Sequence, residues 1–258
     1  MKPETPKAVI FTDIDGTVLN EEKSFQETKP LIEQLLGLGA VVVFCSSKTR
    51  AEIEFYRKEL GVTDPFIVEN GGAILIPKGY FPFSFPCSKK TRKYFVVELG
   101  MAHSVVREKL AKASTATGAV IIGFGDMSTD DVAHETGLSL LLARLAKQRE
   151  YDEPFRLVHG NVKQLAEALE AEGLTFVAGG KYFHVLGNSD KGKAVAVLKE
   201  LFNRKFACIL TYGLGDSQND LPMLAAVDKP ILVRSESGGR NANLVAWREV
   251  LNLVKCRR

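Results

Sequence analysis

The chain has 258 residues, of which 45% are hydrophobic and 25% charged, with a formal net charge of +3. This is the balance of an ordinary globular protein, and apart from a basic tail at Lys255, Arg257 and Arg258 the charge is spread out, which argues against nucleic acid or a membrane surface as a partner. No apolar run reaches the ~18 residues of a membrane span, and MKPETPK is no secretory signal, so a cytoplasmic protein is expected.

In chain order, Ala8–Phe11 has the β-branched and aromatic content of a buried strand. Glu27–Leu38 then reads as an amphipathic helix, Ala40–Cys45 as a strand, Thr49–Leu60 as a helix and Phe66–Val68 as a strand. The same rhythm returns near the end. A helix is expected over Lys191–Phe202, a strand over Ala207–Leu210, a helix over Leu221–Ala226, a strand over Pro230–Val233 and a closing helix over Leu244–Val254. Short strands alternating with helices predict an α/β fold with a doubly wound, mostly parallel, Rossmann-like sheet. Cys45, Cys87, Cys208 and Cys256 show no close pairing, and Cys45 and Cys208 read as small core hydrophobes in strand-like runs.

The middle has another character. The proline- and aromatic-rich YFPFSFPCSKK looks like a boundary. After it come a strand at Lys93–Glu98, a helix at Val105–Ala116, a strand at Val120–Phe124 and two short helices within Thr129–Arg149. A strand at Phe155–His159, a helix at Val162–Glu172 and a hairpin LTFVA-GG-KYFHVL complete the segment, the Gly-Gly link suiting a primed turn. An inserted α+β domain is therefore expected at 84–187, with the core split into 1–83 and 188–258. Phe83–Ser88 and Leu186–Ser189 are its expected hinges.

The first strand runs straight into TDIDGT. Asp13 and Asp15, at i and i+2 of a strand, should point the same way, and they repel unless a cation or a proton intervenes. Ligands of open parallel sheets gather beyond the carboxyl ends of the strands. There the second strand ends in Ser46, Ser47 and Lys48, NSDKGKA opens a helix with Lys191, and ILTYGLGD runs into Asp216, Ser217, Asn219 and Asp220. Singly these are ordinary, since Gly-Asp turns are common and a lysine at a helix start is usually solvated. In this order at these strand ends, they point to one rim.

DIDGT (13–17), Ser46, Lys191 and GDSQND (215–220) resemble the four motifs of haloacid dehalogenase-like phosphatases, and the insertion resembles that family's larger α+β cap. The resemblance implies phosphoryl transfer with Mg²⁺. Asp13 would attack phosphorus and become an aspartyl-phosphate, and Asp15 would protonate the departing alkoxide and then deprotonate water. Ser46 would donate to a phosphoryl oxygen and Lys191 would stabilise both the phosphate and ionised Asp13. Asp13, the backbone carbonyl of Asp15 and Asp216 would hold the metal, with Asp220 in support.

SSKTR (46–50), PFIVENGG, GFGDMS, REYDE and GGKYFH further resemble the mannosyl-3-phosphoglycerate phosphatase branch of that family. This implies a small phosphorylated sugar-glycerate as substrate and mannosylglycerate, a compatible solute, as product. Ser47, Lys48, Thr49 and Arg50 would receive the anionic phosphoglycerate part. Glu69, Asn70 and Gly71 would let backbone approach the ligand, and Ser217 and Asn219 would stand beside it. From the cap, Asp126, Glu150, Tyr151, Asp152, Gly180 and His184 would close over the sugar. A glucosyl-3-phosphoglycerate or sucrose-phosphate phosphatase, a phosphomutase of the phosphomannomutase kind and a non-catalytic binding module remain open, as does the oligomeric state.

Overall fold

A computed structural model describes residues 5–178, 182–233 and 242–257. Its first part runs β1 (Lys7–Thr12), α1 (Lys29–Gly37), β2 (Val41–Phe44), α2 (Arg50–Glu59), β3 (Phe66–Val68), β4 (Ala73–Pro77), β5 (Lys89–Lys90) and β6 (Tyr94–Glu98). A second part follows: α3 (His103–Thr117), β7 (Val120–Gly123), α4 (Thr129–Thr136), α5 (Leu140–Ala146), β8 (Asp152–His159), α6 (Val162–Ala171), β9 (Thr175–Ala178) and β10 (Phe183–Leu186). The chain then returns with α7 (Lys191–Lys205), β11 (Ile209–Gly215), α8 (Leu221–Ala225), β12 (Lys229–Leu232) and α9 (Ala242–Lys255).

The central sheet has the order β12-β11-β1-β2, all parallel. β11, β1 and β2 are covered on both faces, which is why they read as largely apolar runs, whereas the edge strand β12 is partly exposed. Ile10, Val42, Phe44 and Leu214 face Ile32, Leu35, Trp247 and Val250 of α1 and α9. Val9, Phe11, Val41 and Val43 face Val195, Leu198 and Phe202 of α7 and Met223 of α8. This is the expected doubly wound arrangement. One parallel bridge, Cys45 to Ile67, continues the layer to β3, beyond which β4, β6 and β5 pair antiparallel.

Those last strands differ from the expectation. β4 lies outside the expected elements; its sequence AILIP is a short apolar run between glycines and a proline that fits either a turn or a strand. β6 pairs with β4 from Ala73↔Glu98 to Pro77↔Tyr94, so it extends the core layer instead of opening the insertion. The proline-rich stretch, with Pro82 and Pro86 outside any strand, leads to the two-residue edge strand β5. Phe83 and Phe85 pack against Phe81, so the first expected hinge is a packed segment. The chain passes to the second sheet only after Glu98. Of the cysteines, all free, Cys45 is buried as expected, but Cys208 is exposed, since β11 starts one residue later.

The insertion is an antiparallel sheet of order β7-β8-β10-β9. Phe155 and Val185 pack under Val106, Leu110, Leu165 and Leu169 of α3 and α6. Phe124 and Tyr182 pack with Val132, Ala143 and Ala146 of α4 and α5. The Gly-Gly link of the hairpin, including Gly180, lies outside the described residues. Among those described, no helix is long and apolar enough to cross a membrane.

Trp247 ties the closing helix to the first loop. It is fully buried, and its indole N–H donates to the Thr17 carbonyl at 3.0 Å. Trp247→Ala should cost about 3–5 kcal/mol by cavity formation and an orphaned carbonyl, read from urea unfolding; a loss under about 1 kcal/mol would show that α9 does not brace this loop.

Candidate active site

Register brings the site together. Thr12 lies opposite both Phe44 and Leu214, so β1 and β2 end level and β11 runs one residue further. The residues that follow, Asp13, Cys45–Ser46 and Asp216, emerge at one rim. The two first aspartates do not share a strand face as expected. β1 stops at Thr12, Ile14 turns into the core, and the chain bends at Gly16. Gly16 has φ +69°, and a Cβ there would stand 2.3 Å from Asp216 Oδ2, so only glycine admits the close approach of these loops.

Lys191, the first residue of α7, is fully buried, and its ammonium donates to Asp13 Oδ1 at 2.8 Å and to Asp220 Oδ1 at 2.5 Å. The other Asp220 oxygen accepts from the backbone N–H groups of Asp216 (3.0 Å) and Ser217 (3.1 Å) and from the Ser217 hydroxyl (3.0 Å). Burial raises the Asp13 carboxyl to about 7, with Lys191 opposing and Asp220 and Asp15 adding to the rise. Burial and Asp220 raise Asp216 to about 6. Burial by itself would lower the Lys191 ammonium, but Asp13 and Asp220 hold it above its ordinary value.

Asp13, Asp216 and Asp220 each offer an oxygen, all within 4.8 Å of one another. Three carboxylates with one ammonium leave uncompensated negative charge, and an all-oxygen donor set suits a hard divalent cation. The residues therefore fit Mg²⁺. The Asp15 carboxylate stands apart from this cluster. It is half-exposed and pairs at 2.8 Å with the buried Lys48 ammonium, which also lies 3.7 Å from Glu52. Ser46 is buried at the end of β2.

Most of the remaining expected ligand contacts lie along a polar seam between the two sheets. Thr49 caps α2, accepting from Glu52 N–H at 3.2 Å, and its hydroxyl donates to Leu145 O at 2.9 Å. Arg50 pairs with Glu150 at 3.0 Å, and the Ser47 carbonyl accepts from Arg149 at 2.7 Å. Glu69 accepts from the N–H groups of Glu150, Tyr151 and Asp152. Asp152, fully buried, meets Asn70 at 2.7 Å and His184 at 3.0 Å, and Asn219 donates to Asn70 at 3.0 Å.

Two expected cap contacts are engaged elsewhere. The Tyr151 hydroxyl donates to Glu98 at 2.7 Å. The Asp126 carboxylate accepts from Arg107 at 2.6 Å and from Gly123 N–H at 2.9 Å.

Sequence reasoning overlooked Arg149, Glu52 and Lys23. Arg149 is buried between Ser47 and Asp152; it sits in the REYDE run, where the acidic neighbours drew attention instead. Glu52 was visible as the fourth residue of a Thr-x-x-Glu capping box. Lys23, at φ +57°, donates to the Thr136 carbonyl of the cap and gave no signal in its sequence context. A cavity of about 660 Å³ lies at the opposite end of the sheet, walled by Ala8, Leu38, Phe206 and Tyr212, and none of the rim residues lines it.

Residues 10–100 match the family model of the haloacid dehalogenase-like hydrolases. The chain is 42% identical to a glucosyl-3-phosphoglycerate/mannosyl-3-phosphoglycerate phosphatase of Methanococcoides burtonii, over 93% of this chain and 89% of that protein. It belongs to the haloacid dehalogenase-like hydrolases. A mannosyl-3-phosphoglycerate phosphatase of Pyrococcus horikoshii is 39% identical over 96% of this chain and 99% of its own length. Solved structures share the hydrolase fold at lower identity. A Thermoplasma acidophilum protein has a TM-score of 0.65 at 17% identity, covering 97% of this chain and 99% of that one. The sucrose-phosphatase of Synechocystis, solved with sucrose and phosphate, has a TM-score of 0.60 at 15% identity, covering 97% and 98%.

Raised carboxyl values set a pH dependence for this hydrolase. Between about pH 4 and 7 the folded, chelated protein keeps protons that the unfolded chain releases, so its stability falls as pH rises. Mg²⁺ held by these carboxylates would favour their ionised form and should reverse this fall. Urea unfolding at about pH 5.5 and 7.5, with chelator and with Mg²⁺, checks it; equal stability at both values in chelator would contradict the burial argument. Lys191→Met should destabilise the chelated protein by about 3–5 kcal/mol, because two buried carboxylates lose their counter-charge.

Proposed function

We propose that this hydrolase removes the phosphate of mannosyl-3-phosphoglycerate, giving mannosylglycerate and inorganic phosphate. The observation that carries the reading is the buried Lys191 ammonium shared by Asp13 and Asp220, with Asp216 on the same rim. That arrangement leaves one oxygen of Asp13 beside a counter-charge and the other available to a phosphorus atom. Asp13 attacks phosphorus in line with the leaving alkoxide and takes up the phosphoryl group as an aspartyl-phosphate. Asp15 gives its proton to the alkoxide and recovers one from the water that cleaves the intermediate. Ser46 and Lys191 hold phosphoryl oxygens as negative charge develops on them.

Asp13, the backbone carbonyl of Asp15 and Asp216, with Asp220 behind them, would hold Mg²⁺, which neutralises charge on the transferring group. In its resting position Lys48 is occupied by Asp15. An anionic glycerate carboxylate would compete with Asp15 for this cation. Asp152 of the REYDE run and His184, which meet at 3.0 Å, would close over the sugar side. We place the reaction in the cytoplasm, where a compatible solute is made.

A second reading, the glucosyl ester, is favoured by one finding: relatives 42% identical in Methanococcoides burtonii and Persephonella marina are named for both esters. A Mg²⁺-dependent phosphate-release assay on mannosyl-3-phosphoglycerate, glucosyl-3-phosphoglycerate, free 3-phosphoglycerate and sucrose 6-phosphate tests both. The two glycosyl esters should turn over far faster than the other two compounds. Equal rates on all four would remove the substrate assignment, and phosphate returned to a sugar instead of water would indicate a phosphomutase. Asp13→Asn should lower turnover by about three orders of magnitude or more while the fold persists.

A further inference from the structure

Residues 69–72, between β3 and β4, touch the end of β2, the start of α7 and the Asp216–Asp220 loop. Glu69 N–H donates to Lys48 O and Asn70 N–H to Ser46 O, each at 3.0 Å. Gly71 has φ +90°, and a Cβ there would stand 2.1 Å from the carbonyl of Asp190, the residue before Lys191. Glu69 (φ 48°) and Asn70 (φ 55°) are both left-handed, a conformation that costs non-glycine residues free energy and persists only where surrounding contacts hold it.

Those contacts are specific. The buried Glu69 carboxylate holds three successive cap N–H groups, at 3.0, 2.8 and 2.9 Å. Asn70 uses both ends of its amide. Its oxygen accepts from Asn219, which lies between Asp216 and Asp220 in the metal-binding loop, and its nitrogen donates to Asp152, the first residue of cap strand β8. Asp152 is held in turn by His184 at 3.0 Å and faces Arg149 at 3.6 Å.

We propose that Asn70 is a positioning residue that couples seating of the cap to the shape of the Asp216–Asp220 loop. This rests on the Mg²⁺ site of the proposed function but not on the identity of the ester. With the cap seated, Asp152 takes the amide nitrogen and thereby fixes the oxygen toward Asn219. With the cap lifted, the amide loses that partner and can rotate, and Asn219 loses its fixed acceptor. Partners one step behind metal ligands set ligand orientation and hence affinity. Coupling of this kind is reciprocal: cap seating tightens the metal site, and the metal favours a seated cap.

The test uses Mg²⁺ alone, with no ester. Calorimetry gives the Mg²⁺ affinity, and hydrogen exchange at the Glu150, Tyr151 and Asp152 amides reports cap seating. In the parent protein Mg²⁺ should slow exchange at these amides. Asn70→Asp keeps the acceptor for Asn219 but sets a carboxylate against Asp152; it should weaken Mg²⁺ binding about ten-fold and abolish the effect on exchange. Asp152→Asn added to it restores the hydrogen bond in the opposite sense and should recover most of both. Asn70→Gly, which tolerates the left-handed backbone and removes both amide contacts while leaving Asn219 and the Glu69 contacts in place, should behave like Asn70→Asp and serves if the latter fails to fold. Exchange indifferent to Mg²⁺ in the parent, unchanged Mg²⁺ affinity in the folded single variants, or a double variant as impaired as Asn70→Asp would each overturn the proposal. Absence of phosphate release from any ester would count against the proposed function and leave these outcomes as they stand.

Discussion

A buried ammonium between two carboxylates is the contact on which the rest depends. Lys191 sits at the amino end of α7, where the helix dipole disfavours a cation, and it is removed from water. Only Asp13 and Asp220, both within hydrogen-bond distance, make that position tolerable. The dependence runs both ways. Without the lysine, the two acids and Asp216 would repel one another in a low-dielectric rim and take up protons instead. The three chain segments concerned lie far apart in sequence, so this charge balance also holds the ends of β1 and β11 and the start of α7 in one place.

The remaining architecture serves that cluster in two ways. Parallel strands of matched register deliver the acids to one edge, and the turns after them are shaped by close approaches, as at Gly16 against Asp216. The cap is joined to the core by polar contacts, Arg50 to Glu150, Arg149 to Ser47, Thr49 to Leu145 and Glu69 to three backbone N–H groups, and by Tyr151 and Leu142, which pack into the core's apolar cluster. The charged and hydrogen-bonded part of that junction can part and re-form in water at smaller cost than the apolar part. The residues between β3 and β4 belong to both sides of that seam.

Much of this was legible in the chain itself. Strands buried on both faces leave unbroken apolar runs, and VVVFC and ILTYGLGD announce both the sheet and where it ends. The acidic, hydroxylic and cationic residues at those ends could be grouped because a parallel sheet brings carboxyl ends to one side. Less was legible where the outcome depends on tertiary pairing. Nothing local to Tyr94–Glu98 says that its partner is β4 instead of a cap strand. The divergence of Asp13 and Asp15 turns on β1 stopping at Thr12, a boundary that an apolar pattern does not mark. The side chains of Tyr151 and Asp126 had the chemistry to hold a sugar, and their actual partners, Glu98 and Arg107, come from elements whose packing the sequence does not reveal.

The account rests on Asp13 as the atom that receives phosphorus. Acid quenching during steady-state turnover of mannosyl-3-phosphoglycerate, followed by peptide mass spectrometry, tests this most directly. One phosphoryl group on the peptide that contains Asp13, appearing only when Mg²⁺ is present, is the predicted result. Turnover with no phosphorylated peptide, or with the group on another residue, would contradict it.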